Sequence, residues 1–275
     1  MAQPTMIWFD QRHMRLGTCD FHCDHRLQAV PEGHLPVRKP RRLVEGYADL
    51  ARDGGAQPRI VELGIQNGGS TAMLSELFQP DKLVAVELAE APVELLATYI
   101  AQHGFEQTVR PYYGVDQSDR SRLTQILDDE FGDEALDLVI DDASHLYAET
   151  LASFDVLFPR LRPGGRFVIE DWRWEHAVAR RMEEISAGGG EASVNQAKRL
   201  EAAMAERSAS KPSKPTPFSR LVMELVLAQA CSDSVAGLTM NSFRVVVERG
   251  PTALDAASFR LSDLYDDHLG QLAPR

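Results

Sequence analysis

The sequence predicts an α/β protein built on a Rossmann-like, doubly wound, mostly parallel seven-stranded sheet with a C-terminal antiparallel hairpin. Three observations lead there. Short apolar strands alternate with helical segments five times, which implies right-handed crossovers and parallel strands. The strands are continuous apolar runs, as expected when helices cover both faces. Two further apolar runs, Val235–Met240 and Phe243–Glu248, are separated only by Asn241-Ser242.

The elements follow in chain order. Residues 1–40, broken by Pro31, Pro36 and Pro40, read as an irregular N-terminal arm. Leu43, Val44, Tyr47 and Leu50 recur at helical spacing, and Gly54-Gly55 ends that helix. Strands are predicted at Arg59–Leu63, Lys82–Glu87, Thr108–Tyr113, Leu136–Asp141 and Arg166–Glu170. Helices are predicted at Ser70–Phe78, Pro92–His103, Ser118–Phe131 and Ser144–Phe158. The main domain spans 41–250. Within it, 172–217 contains Gly188-Gly189-Gly190 and the Ser208–Pro217 stretch and reads as an insertion or lid, with a helix around Ala197–Arg207. A helix at Phe218–Ala230 precedes the hairpin, and 251–275 reads as a peripheral tail.

Composition narrows the function classes. The 275 residues are 44% apolar and 25% charged, so global disorder is excluded. No apolar run is long enough to span a bilayer, and the first ten residues lack the pattern of a secretory signal, so a cytoplasmic protein is expected. Asp and Glu number 41 against 29 Lys and Arg, a net charge of -12, which disfavours nucleic acid and anionic membrane as partners. Three cysteines without a signal predict free thiols. Cys19, His22, Cys23 and His25 resemble a metal knuckle superficially but lack its spacing.

Three motifs point to chemistry. The turn after the first main strand runs Glu62-Leu63-Gly64-Ile65-Gln66-Asn67-Gly68-Gly69-Ser70-Thr71. Glycines there allow close ligand approach, and the next helix presents its unpaired N–H groups. The spacing is not the G-x-G-x-x-G dinucleotide fingerprint. Glu87 closes the second strand, where a carboxylate can accept both ribose hydroxyls of a nucleoside, and Asp116-Gln117 follow the third, where they can face an adenine edge. Asp141-Asp142-Ala143-Ser144-His145 ends the fourth strand and Glu170-Asp171 the fifth. On neighbouring strands, Asp142, Glu170 and Asp171 converge and repel, which a hard cation such as Mg²⁺ or Ca²⁺ relieves. A neutral His145 beside them can accept a proton from a hydroxyl. Each group also has a plain structural reading: a glycine turn, solvated strand-end acids, a helix-start histidine.

VELGIQNGGST, VAVE and LDLVIDDASHLYAETLASFDVLFPRLRPGGRFVIEDW together resemble the class I S-adenosylmethionine-dependent methyltransferases. The likeness is to the metal-dependent macrolide sugar O-methyltransferases of the mycinamicin type. It covers about residues 41–172. The resemblance implies S-adenosyl-L-methionine and Mg²⁺ as cofactors, with Asp142, Glu170 and Asp171 holding the metal and His145 as general base. It implies cofactor binding by Glu87, by Glu62, Gly64, Gly68, Gly69 and Ser70 of the turn, and by Asp116, Gln117 and Asp141. The implied acceptor is a small glycosylated or diol-bearing natural product. The family's extra N-terminal domain has no counterpart in the 40-residue arm, so neither the acceptor's identity nor a homo-oligomer is carried over. Trp172 and Trp174 are candidates for the acceptor wall. Two readings compete: a non-catalytic S-adenosylmethionine-binding protein, which need not keep the acid pairs and His145, and a nicotinamide oxidoreductase, which the missing fingerprint opposes.

Overall fold

The computed structural model describes residues 4–27, 29–53, 55–187 and 216–266. Five parallel strands form the centre of one sheet: β5 (Arg59–Leu63), β6 (Lys82–Val86), β7 (Val109–Tyr112), β8 (Leu136–Asp141) and β9 (Leu161–Glu170). β10 (Val235–Met240) and β11 (Arg244–Arg249) add an antiparallel hairpin against β9. The order β10-β11-β9-β8-β5-β6-β7 makes seven strands, as the sequence predicts. The chain leaves β5 in one direction and returns to its other side at β8. The switch in strand order therefore lies between these two carboxyl ends, where open α/β sheets bind ligands.

Two cores cover the two faces, because successive residues of a strand point oppositely. Val61, Leu63, Val139, Phe167 and Ile169 pack on one side with α4 (Arg120–Phe131), α5 (Tyr147–Leu157) and α7 (Ser219–Cys231). Ile60, Leu83, Ala85, Leu138 and Ile140 pack on the other with α1 (Arg41–Asp53), α2 (Gly69–Phe78) and α3 (Glu94–His103). The helix ends carry their own signals. Asp119 caps α4 by accepting from the Arg122 amide at 2.9 Å, and Gly104 ends α3 in the left-handed conformation.

Two expectations fail. The N-terminal arm is not irregular: β1 (Met6–Trp8), β2 (His13–Leu16), β3 (Cys19–Cys23) and β4 (Leu35–Val37) form a second, four-stranded sheet. Met14, Leu16, Phe21, Cys23 and Val37 are buried in the α1–α3 core. The signal was a period-two alternation in strands of only three to five residues, masked by prolines. Those prolines fall where strands and helices tolerate them. Pro36 lies in the edge strand β4, and Pro40 immediately precedes α1. The same alternation disperses the cysteine–histidine cluster. Cys19 meets Glu76 and His103, His22 meets His13 at 3.0 Å, and His25 reaches the cavity described below.

Nor is the tail peripheral where it is described. Phe259, Leu261 and Leu264 enter the α5/α7 core, and buried Asp155 accepts from the Leu261 amide at 2.8 Å. Of the expected insertion, α6 (Trp174–Ala187) is a helix tied to the start of α7, with the Phe218 amide donating to Glu175 at 2.8 Å. The helix expected around Ala197–Arg207 lies outside the described residues. Among the described residues, no helix is long and apolar enough to cross a membrane.

Candidate active site

A cavity of about 730 Å³ opens at the carboxyl ends of the parallel strands, over the switch point. Its first side is the β5–α2 turn. Gly64 has a φ of +97°, and a Cβ there would stand 2.5 Å from the Asp142 carbonyl oxygen, so only glycine lets the β5 and β8 loops meet. Gln66 follows in the left-handed region at φ +50°. Glu87, at the end of β6, fastens this turn: one oxygen accepts from the Ile65 and Gln66 amides at 3.1 and 2.8 Å, the other from Ala89 at 3.0 Å. Gly64, Ser70, Glu87, Asp116 and Gln117 line the cavity.

The remaining residues assigned to cofactor binding lie behind its wall. Glu62 is buried and accepts from the Thr71 hydroxyl at 2.6 Å, and burial pushes its carboxyl up to about 7. Gly68 packs on Leu96. Gly69 faces β4, where a Cβ would collide with the Pro36 carbonyl. Asp141 is buried beneath Gln117, whose amide donates to it at 2.9 Å, with Ser153 donating at 3.0 Å; burial raises its carboxyl to about 6. Gln117 also accepts from the Ser144 amide at 2.9 Å. Its side chain thus couples the β7 and β8 loops.

The second side gathers the acids and His145. His145 takes a left-handed φ of +54° and Asp171 one of +51°, conformations that non-glycine residues hold only when their surroundings enforce them. The Trp174 indole donates to the His145 carbonyl at 2.8 Å and pins that loop. Trp174 lines the cavity, while Trp172 is turned to the Asn241 carbonyl at 2.8 Å. The His145 Nε2 stands 3.6 Å from Asp142 Oδ1 and 4.0 Å from Asp171 Oδ2. Asp142, His145 and Asp171 thus form one cluster, and Glu170 is not part of it.

Glu170 and Asp142 instead share a residue that sequence reasoning missed. Lys39, two residues past β4, places Nζ 2.5 Å from Asp142 Oδ2 and 2.6 Å from Glu170 Oε1. The Tyr47 hydroxyl, from α1, donates to the same Glu170 oxygen. Burial opposes the Lys39 charge, but the two carboxylates more than offset it and hold its pKa well above the ordinary range. One ammonium cannot neutralise both acids. Burial and the Asp142 charge raise the Glu170 carboxyl to about 7, with Lys39 and Tyr47 working against the rise. No local motif announces Lys39, because its partners lie 103 and 131 residues away.

A three-carboxylate magnesium site does not fit this arrangement. Magnesium needs carboxylate oxygens at about 2.0–2.1 Å, yet the oxygens of Asp142 and Glu170 that face each other already hold an ammonium. Asp171 is about half exposed and belongs to the His145 cluster.

Residues 61–172 match the family model for a methyltransferase domain. This stretch resembles a methyltransferase domain. It contains the β5–α2 turn, Glu87, the Asp142–His145 loop and the Glu170-Asp171 pair. Among curated relatives, the 8-demethyl-8-alpha-L-rhamnosyl tetracenomycin-C 2'-O-methyltransferase of Streptomyces olivaceus is 31% identical over 149 residues, 44% of this chain and 39% of that protein. The mycinamicin VI 2''-O-methyltransferase of Micromonospora griseorubida is 33% identical over 122 residues, 42% of this chain and 27% of that protein. The chain spans well under half the length of these relatives. Among solved structures, MycE methyltransferase in complex with Mg, SAH and mycinamycin VI is 22% identical, covers 82% of this chain and 52% of its own, and has a TM-score of 0.48.

Proposed function

We propose that the chain is an S-adenosylmethionine-dependent O-methyltransferase acting on a hydroxyl of a sugar or other diol in a small natural-product acceptor. The observation that carries this reading is the placement of His145 across one cavity from the Gly64 turn and Glu87, inside the methyltransferase domain. The curated relatives, which are named as methyltransferases of rhamnosyl tetracenomycin and of mycinamicin, supply the acceptor class.

The chemistry follows from the two sides. Glu87 and the β5–α2 turn hold the nucleoside and methionine parts of the cofactor. The acceptor hydroxyl approaches His145 Nε2, which takes its proton while Asp142 and Asp171 stabilise the imidazolium that forms. The oxygen attacks the sulfonium methyl in line: the O–C bond forms, the C–S bond breaks, and S-adenosylhomocysteine leaves. Positioning two reactants in one cavity supplies much of the acceleration. Magnesium is suggested only by the resemblance and by a distant solved structure, and no step here is routed through it.

Titration calorimetry with S-adenosylmethionine, followed by transfer of a labelled methyl group to rhamnosylated aromatic polyketides, tests the reading. Cofactor binding in the micromolar range with transfer to a sugar hydroxyl is expected. Binding without transfer to any hydroxyl-bearing acceptor favours the non-catalytic alternative, and NADH binding in its place overturns both.

A further inference from the structure

We propose that the ammonium of Lys39 stands in for a divalent cation, so that Asp142 and Glu170 form a lysine-bridged acid pair and this site works without a metal ion. The inference rests on the O-methyltransferase reading of the cavity and departs from it at one point, the source of positive charge.

Four observations carry it. First, Nζ bridges the two carboxylates at 2.5 and 2.6 Å, so that one ammonium donates charge-assisted hydrogen bonds to both. Second, Lys39 is 3% exposed, and lysines are buried this deeply almost only when paired. Third, the lysine is held from both sides. β4 before it is seated against α2, where the Pro36 carbonyl occupies the space a Gly69 side chain would need, and α1 begins two residues later. Fourth, the Glu170 oxygen that meets Lys39 also accepts from the Tyr47 hydroxyl, so it is surrounded by hydrogen-bond donors. A cation held by the neighbouring cluster of Asp142, His145 and Asp171 would compete with proton transfer for the His145 Nε2 lone pair.

Lys39 is a positioning residue. It fixes Asp142, and Asp142 in turn faces His145. Its charge takes over part of a metal's electrostatic work, the relief of repulsion between paired acids, without offering coordination sites.

The test uses Mn²⁺ as probe on chelator-treated full-length protein, read by electron paramagnetic resonance. The wild type is expected to show no stoichiometric Mn²⁺ site that depends on Asp142. Lys39→Ala, which uncovers the two carboxylates, is expected to bind one Mn²⁺ about tenfold or more tightly than the wild type, and Lys39→Ala/Glu170→Gln to lose that gain. Wild-type protein that binds one Mn²⁺ in the micromolar range, and loses it in Asp142→Asn, overturns the proposal. So does a folded Lys39→Ala protein that binds none. If circular dichroism shows Lys39→Ala unfolded, the wild-type and Asp142→Asn titrations decide alone. Calorimetry with S-adenosylmethionine on the same samples separates the two readings: no cofactor binding sinks the O-methyltransferase assignment and leaves the Mn²⁺ result standing.

Discussion

The two sides of the cavity are held by different forces. On the β5–β6 side, one carboxylate, Glu87, collects three backbone amides from residues within about one βα unit of itself. On the β8–β9 side, side-chain charges face one another, and the cation between them comes from the link between β4 and α1, more than a hundred residues earlier. Backbone amides cost little to keep in place, since the turn that presents them is part of the fold. Buried charges are stable only as a completed set. The first side is therefore a fixture of the βα unit, whereas the second exists only when β1–β4 have docked.

If that division is right, the largest functional effect lies on the second side. His145→Ala is expected to lower turnover roughly a thousandfold, within the range for losing a general base, while S-adenosylmethionine affinity stays within about twofold of wild type, well under the tenfold that 1.4 kcal/mol represents. Single-turnover kinetics beside calorimetry would measure both. A matching loss of cofactor affinity would show that the left-handed His145 loop, pinned by Trp174, shapes both sides together. The comparison would then fail.

Glu87 probes the first side. It lines the cavity and also fastens the turn. Glu87→Gln keeps its size but can no longer accept at every oxygen while carrying a charge. Cofactor affinity is expected to fall about tenfold, the worth of one hydrogen bond to a charged group, with turnover at saturating cofactor little changed. Unchanged affinity with a lowered melting temperature would reduce Glu87 to a fastener of the β5–α2 turn.

The same division explains what could be read from the sequence. The parallel strands, their order of appearance, the glycine turn, Glu87 and His145 are all marked by patterns within about ten residues. Local periodicity and turn chemistry leave such marks. β1–β4 left almost none, because strands of three to five residues carry one or two alternations each and two prolines interrupt them. Lys39 was unreadable for a different reason. Nothing in its own surroundings distinguishes it from a surface lysine, and its meaning depends on contacts that only the closed fold creates. The convergence of Asp142 and Glu170 was visible from adjacent strand ends; the ammonium that bridges them was not. Glu62, read as part of the glycine turn, and Asp141, taken from the family resemblance, show the converse: their side chains lie behind the cavity wall and bind Thr71 and Gln117.

Glu62 also gives the smallest expected effect, and it is a slope rather than a loss. Its carboxyl is fully buried, and burial raises it from an ordinary 4.5 to about 7, with Thr71 offsetting part of the rise. An acid whose pKa is higher in the folded state favours folding while protonated. That contribution is complete below about 4.5 and is lost as pH rises through about 7. Glu62→Gln removes the titration and keeps a polar partner for Thr71. Urea unfolding at pH 5 and pH 8 is therefore expected to give a smaller loss of stability with rising pH in the variant than in the wild type. Equal slopes in wild type and Glu62→Gln would mean that Glu62 stays ionised in the folded protein. The buried layer behind the glycine turn would then carry a charge, and the first side of the cavity would depend on electrostatics as the second side does.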